Sequence, residues 1–297
     1  MTDRTEAQLG APLVVKPLDH EIDVFGMTHI GRVRKTNQDH FLVASLRKQL
    51  DVHSTSLPTM QLLAPGTDRL AFLAMVADGV GGSAGGAEAS GFAVEMISSY
   101  LTHSTHCYYT ADTTDDGAFI QALENAAYRC HEELLQRAER EGRRAGATTL
   151  TLFLGVWPRA YLLQVGDSRY YQLRDGVLTQ VSRDQTLAQE LIDRGVFTRT
   201  DRAAAQLAHT LSSAIGGPQT DPMVTGVEIG WGVVNLLCSD GLTKHVSDER
   251  IRERLMAMTS ARQVCEDLMD DALGAGGSDN ITIVVGRAVQ GGVQPQA

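Results

Sequence analysis

The run Leu70-Ala71-Phe72-Leu73-Ala74-Met75-Val76-Ala77 is apolar without a break, and it ends abruptly on Asp78-Gly79-Val80-Gly81-Gly82. A short apolar run bounded by glycines reads as a strand buried on both faces. An ionised carboxylate at the end of such a strand is costly to desolvate unless a cation compensates. Gly79, Gly81 and Gly82 let the backbone turn sharply and come close to that cation. Asp78 is therefore expected to bridge metal ions, with the other acidic sites completing the cluster.

Around this strand the pattern groups strands in hairpins and helices in consecutive pairs. Residues 22–44 read as two strands joined through 31–39, and the polar stretch 45–69 as a surface insertion or an elongated hairpin. Ala89, Phe92, Ala93, Met96 and Ile97 recur at helical spacing, which predicts a helix over 84–101. A linker around 102–116 leads to a second helix at about 117–140. Strands are expected at 146–156, 161–165 and 170–173, the last closed by an Asp175-Gly176 hairpin turn. Short helices at 184–210 precede a buried strand at 233–238, helices at 248–258 and 261–273, and a final strand at 281–285. This order suits antiparallel sheets layered with helices, an α+β fold, and not a doubly wound parallel sheet. Residues 21–289 are expected as one domain, with a flexible leader at 1–20 and a flexible tail at 290–297.

The apolar fraction of 43% supports a sizeable core, and the net charge of −10 argues against nucleic acid or an anionic membrane surface as partner. Cys107, Cys130, Cys238 and Cys265 form no Cys-x-x-Cys pair and read as small buried residues of a reducing compartment. No run approaches the roughly 20 apolar residues of a membrane helix, and the N-terminus has no secretory pattern. A cytoplasmic monomer is the expectation.

Four acids share one context: Asp78-Gly, Gly-Asp167-Ser, Ser-Asp240-Gly and Gly-Ser-Asp279-Asn. Any one alone reads as turn chemistry. Three of the four adjoin strongly apolar strands whose ends would converge, and that favours a shared site. An all-oxygen aspartate set suits Mg²⁺ or Mn²⁺, whereas the His-rich or thiolate set of a zinc site is missing. Two such ions about 3.5–4 Å apart activate a bridging water and neutralise a phosphoryl group in flight. Arg34 offers the forked, permanent charge that a phosphate wants, with an exposed turn arginine as the plainer alternative.

Six motifs then fall in order: Arg34-x-x-Asn37-x-Asp39, Ala77-Asp78-Gly79-x-Gly81-Gly82, Gly146-x-Thr148, Gly166-Asp167-Ser168-Arg169, Ser239-Asp240-Gly241 and Ser278-Asp279-Asn280. The chain resembles the metal-dependent serine/threonine protein phosphatases of the phosphatase 2C type, bacterial branch, over residues 22–288. The resemblance implies a four-layer α-β-β-α sandwich of two antiparallel sheets with a dinuclear Mn²⁺ or Mg²⁺ centre. It implies that Asp78 bridges both metals, that the Gly79 carbonyl binds one, and that Asp240 and Asp279 bind the other. Asp167 matches the acid that, with Asp240, holds a third and looser metal. Arg34 matches the phosphate-binding arginine, and Asp39 an acid that orients metal-bound water. The implied substrates are phosphorylated proteins, either those modified by a Ser/Thr kinase or the kinase itself.

The chain departs from the family pattern twice. Val80 stands where eukaryotic members carry a histidine that protonates the leaving group, and Gln185 where a histidine usually follows Asp184. Residues 184–216 would form the flap beside the cleft. Two other readings stay open: a metal-dependent phosphatase of a small metabolite, and a catalytically silent binder of phosphoproteins. Gly79-x-Gly81-x-x-Ala84 formally fits a dinucleotide fingerprint but lacks the βαβ alternation. His103-x-x-His106-Cys107 has no second ligand pair and reads as a helix-end cluster. The mixed charges of 136–144 read as a solvated helix end.

Overall fold

The computed structural model describes residues 15–48, 68–81, 84–103, 116–198 and 200–291. In chain order the strands are β1 (Ile22–His29), β2 (Asp39–Lys48), β3 (Asp68–Val80), β4 (Ala147–Thr148), β5 (Leu150–Val156) and β6 (Arg159–Val165), then β7 (Arg169–Arg174), β8 (Val177–Gln180), β9 (Met223–Val227), β10 (Val234–Cys238) and β11 (Ile281–Ala288). The helices are α1 (Ala84–His103), α2 (Asp116–Arg140), α3 (Leu187–Asp193), α4 (Arg202–Leu207), α5 (Asp240–Thr243), α6 (Asp248–Met256) and α7 (Ala261–Gly274).

The alternation of side chains along β3 shows why the fold is layered. Leu73, Met75 and Ala77 pack with Ala93, Ile97 and Leu123 of α1 and α2, whereas Ala74 and Val76 pack with Tyr170, Leu237 and Val284 of another sheet. Successive side chains of a strand point to opposite faces, so an unbroken apolar run serves two interfaces at once. The second sheet mirrors the first. Leu236, Cys238, Ile283 and Val285 meet Ile251, Val264 and Leu268 of α6 and α7, while Leu237 and Val284 turn inward. Each fully buried Leu, Ile or Met contributes about 1.5–3 kcal/mol, and Met75, Leu152 and Ile283 have no exposure at all.

One sheet runs β1-β11-β10-β7-β8 and the other β2-β3-β5-β6-β9, with β4 paired to the end of β3. The strand pairs within the ladders are antiparallel. This is the α-β-β-α sandwich that the resemblance implies. β1 and β2 lie in different sheets, as do β6 and β7. The connections 30–38 and 166–168 therefore cross from sheet to sheet at one edge, the edge that carries the acids.

The strand expected over 146–156 is two strands. It breaks at Thr149, whose N–H donates to the Asp78 carbonyl (2.9 Å) while its hydroxyl accepts from the Asp78 N–H (3.0 Å). Thr148 meanwhile pairs with Ile215. β9 was not expected, because its side chains are mostly exposed and give little periodic signal. β2 and β3 pair as far as Lys48 and Asp68, in line with the elongated-hairpin alternative. Asp175 (φ 50°) and Gly176 (φ 78°) form the expected tight turn between β7 and β8.

Residues 16–21, within the stretch expected as leader, are tied to the body. Arg47 (2.6 Å) and Arg69 (2.5 Å) both reach Asp19, Lys16 donates to the Arg69 carbonyl, and Arg69 to that of Pro17. Cys130, Cys238 and Cys265 are buried free thiols pushed up to about 12 by burial. Cys107 and His106 lie outside the described residues. Among the described residues no helix is long and apolar enough to cross a membrane.

Candidate active site

Asp39 opens β2 and is the cross-strand partner of Asp78 on β3. Side chains of such a pair share one face of the sheet, and like charges placed directly opposite repel. Asp39 is buried. Its Oδ2 accepts from Ser239 Oγ (2.8 Å) and Thr282 Oγ1 (2.7 Å), while its Oδ1 has no hydrogen-bond partner among the described residues. Burial raises its pKa to about 6 even though both hydroxyls favour the charged form. Asp78 keeps a little accessible surface, yet burial drives its pKa well upward, reinforced by the charges of Asp39, Asp240, Asp167 and Asp279.

Asp240 begins α5 directly after β10, and Asp279 sits in the loop before β11. Lys244 joins them. Its Nζ lies 2.6 Å from Asp240 Oδ2 and 2.7 Å from Asp279 Oδ2. Asp240 Oδ1 is buried without a hydrogen-bond partner among the described residues. Arg34 grips Asp279 with two bonds, Nε to Oδ1 at 2.6 Å and Nη2 to Oδ2 at 2.9 Å, and about half of its side chain stays exposed. Burial opposes the charge on Asp279, but the bonds from Arg34 and Lys244 leave its pKa below the ordinary value. The same bond to Asp279 holds the Arg34 guanidinium above its ordinary value. Asn280 clamps the two loops together. It accepts from the Gln38 N–H (2.9 Å) and donates to the carbonyls of Ile30 (2.9 Å) and Thr36 (3.0 Å).

Asp167 lies in the crossing between β6 and β7. Burial, then the charges of Asp240 and Asp184, raise its pKa to about 7, with Lys244 pulling the other way. Gln185 holds this turn in place: its Oε1 accepts from the Gly166 N–H (2.7 Å) and its Nε2 donates to the Asp221 carbonyl (2.8 Å). A buried glutamine thus does structural work where the family pattern has histidine. Asp184 is held by Arg169 through both Nε and Nη2 (2.7–3.1 Å). A cleft of about 310 Å³ runs from Asp167, Asp240 and Lys244 to Thr186, Ile192 and Ala204 of the flap helices. An apolar cavity between the sheets, lined by Val24, Phe72, Trp157 and Leu237, lies at the opposite end and contains none of the acids.

Gly79 is required by close approach. Its N–H donates to the Gln38 carbonyl (3.1 Å), and a Cβ there would be driven into the carbonyls of Gly86 and Gln38. Val80 is exposed and carries no proton to give.

The structure thus brings Arg34, Asp39, Asp78, Gly79, Asp167, Asp240 and Asp279 to one edge of the sandwich. Among the described residues no three His, Cys, Asp or Glu side chains are drawn into one ready-made ligand cluster; Asp240 and Asp279 turn instead to Lys244 and Arg34. Sequence reasoning missed Lys244, although its place four residues after Asp240 is the spacing of helical ion pairs. It also missed Ser239 and Thr282 as the anchors of Asp39, for which no local signal existed.

A two-sheet sandwich with this acidic edge is the fold of the protein phosphatase 2C family, to which the chain belongs; the family's model, Protein phosphatase 2C, matches residues 62–275. Among individual relatives, the serine/threonine protein phosphatase PstP of Mycobacterium tuberculosis is 36% identical over 219 residues, 73% of this chain and 40% of PstP. The chain therefore spans less than half the length of that relative. The serine/threonine phosphatase stp of Listeria innocua is 29% identical over 217 residues, 72% of this chain and 83% of stp. The crystal structure of the PstP catalytic domain in complex with two manganese ions matches with a TM-score of 0.67 at 31% identity, covering 91% of this chain and 99% of that one.

Proposed function

We propose that this chain is a protein serine/threonine phosphatase that works with two divalent cations, Mn²⁺ or Mg²⁺. The observation that carries the reading is the meeting of five aspartates from separate stretches, two of whose buried oxygens, Asp39 Oδ1 and Asp240 Oδ1, lack a hydrogen-bond partner among the described residues. Among the described residues only Arg34 and Lys244 form ion pairs with these acids, so the described edge carries excess negative charge. An all-oxygen donor set, in which burial pushes the carboxyls of Asp39, Asp78 and Asp167 upward, fits hard divalent ions.

Asp78, the Gly79 carbonyl, Asp240 and Asp279 would hold the pair, and Asp167 with Asp240 a third. Such ions, when bound, supply an activated water and neutralise charge on the phosphoryl group. The chain's own residues do the rest. Arg34, half-exposed and bonded through Nε and Nη2 to Asp279, would turn its fork to the phosphate oxygens once Asp279 is drawn to a cation, a bidentate match that orients phosphorus for in-line attack. Asp39, fixed by Ser239 and Thr282, can accept a proton at Oδ1 near neutral pH. Val80 cannot protonate the departing alkoxide, so that proton must come from another source. The expected substrates are phosphoproteins of a Ser/Thr kinase, or the kinase itself, and the expected setting is a cytoplasmic monomer.

Hydrolysis of p-nitrophenyl phosphate with and without Mn²⁺, followed by phosphopeptides against sugar and nucleotide phosphates, tests the proposal. Mn²⁺-dependent turnover that favours phosphopeptides is expected. A preference for a small metabolite, binding without turnover, or full activity in Asp78→Asn would reject it.

A further inference from the structure

Two of the acids at the site are already neutralised by the chain itself. Lys244 is the C-terminal cap of α5, and its N–H donates to the Asp240 carbonyl (2.8 Å). That single turn of helix returns the side chain to Asp240, while Nζ also crosses to Asp279. The ammonium is mostly shielded from solvent, with 22% of the side chain exposed. Burial works against its charge, but the two carboxylate oxygens at 2.6 and 2.7 Å hold the ammonium in place. Asp167 lines the same cleft as Lys244, and among the described residues no basic side chain forms an ion pair with Asp39, Asp78 or Asp167. Lys244 therefore sits between the two carboxylates on which a divalent ion would draw.

We propose that Lys244 is a tethered counter-cation that competes with the divalent ion for Asp240 and Asp279, and so sets how much free metal the protein needs. The inference rests on the metal reading given above and concerns the residue that opposes it. Before both carboxylates can turn to a metal, Lys244 must release Oδ2 of each, and its positive charge nearby must be tolerated or moved. The tether has a complementary use without metal. Five carboxylates gathered on one edge repel, and an ammonium bridging two of them relieves part of that repulsion. The residue thus trades metal affinity for stability of the metal-free fold.

The test uses the full chain stripped with EDTA and titrated with Mn²⁺ alone, bound metal being read by calorimetry or by the electron-spin resonance of free Mn²⁺. Lys244→Met keeps the stem and removes the charge. It should bind Mn²⁺ about tenfold more tightly, as expected for removing a unit charge a few ångströms from the ion, while the stripped protein melts at a lower temperature. Lys244→Arg keeps the charge and should stay within about threefold of the original affinity. A merely structural lysine would lower the melting temperature without tightening Mn²⁺ binding. Unchanged or weaker affinity in Lys244→Met overturns the inference while leaving the metal reading intact. Absence of binding in both proteins overturns the metal reading and the inference with it.

Discussion

The metal-stripped protein should lose stability as pH rises from 5 to 8, the reverse of the trend set by carboxylates in ordinary salt bridges. Asp39 and Asp167 have folded pKa values raised from 3.8 to about 6 and about 7 by burial. An acid whose pKa is higher folded than unfolded binds its proton more tightly in the native state. Its contribution is full below about pH 4 and vanishes as pH rises through the folded value. Between pH 5 and 8, Asp39 has about one pH unit still to lose and Asp167 about two, ~4 kcal/mol together at ~1.4 kcal/mol each. Asp78, raised still further, adds to the same sign. His131 works the other way: burial lowers its pKa, so its penalty grows as pH falls and blunts the trend at the acid end. For a chain of this size about 2 °C accompanies each kcal/mol, so the unfolding midpoint should drop by about 8 °C. Scanning calorimetry in EDTA at four pH values measures this. Asp167→Asn should flatten the curve between pH 6 and 8, and excess Mn²⁺ should abolish the decline. A midpoint that is flat or rises to pH 8 in EDTA would refute the claim that burial outweighs the groups that favour the charged forms of Asp39 and Asp167.

Other consequences are open to direct measurement. Asp78→Asn should reduce Mn²⁺-dependent turnover of p-nitrophenyl phosphate by about a thousandfold or more and lower the Mn²⁺ stoichiometry in calorimetry, since the proposed role of Asp78 is to hold both ions. Arg34→Ala should raise KM for phosphopeptides about tenfold while leaving Mn²⁺ stoichiometry intact, because a charged hydrogen bond contributes ~1.5–3 kcal/mol. Gln185→Ala strips the Gly166 N–H and the Asp221 carbonyl of their partner, and should cost ~1–3 kcal/mol in urea unfolding. Gly241→Ala would drive a Cβ into the Asn280 carbonyl, forcing apart the loops that carry Asp240 and Asp279; the soluble yield and melting temperature should both fall.

Much of the site was legible because its acids stand where apolar strands stop. The runs before Asp78 and Asp240 are strongly apolar stretches that no tertiary contact alters, and both strands form where expected. The 146–156 segment failed as one strand for a reason its own residues do not carry: Thr148 and Thr149 are claimed by Ile215 and Asp78, both remote in the chain. β9 escaped because an exposed edge strand needs no apolar alternation. Lys244 escaped because a lysine near an aspartate is ordinary until the loop bearing Asp279 is folded against it.

By itself, the sequence determined which segments must be buried on two faces, where each ends in a carboxylate beside glycine, and hence the layered class and the candidate acids. Local apolar patterning and backbone freedom are properties of short stretches, and they survive in any context. Only the tertiary structure decided that Asp39 faces Asp78 across a hairpin, that Ser239 and Thr282 anchor it, and that Lys244 and Arg34 converge on Asp279. Those contacts depend on which sheet each strand joins, and sheet partners are chosen by packing between segments up to about 250 residues apart, as for Asn280 and Ile30.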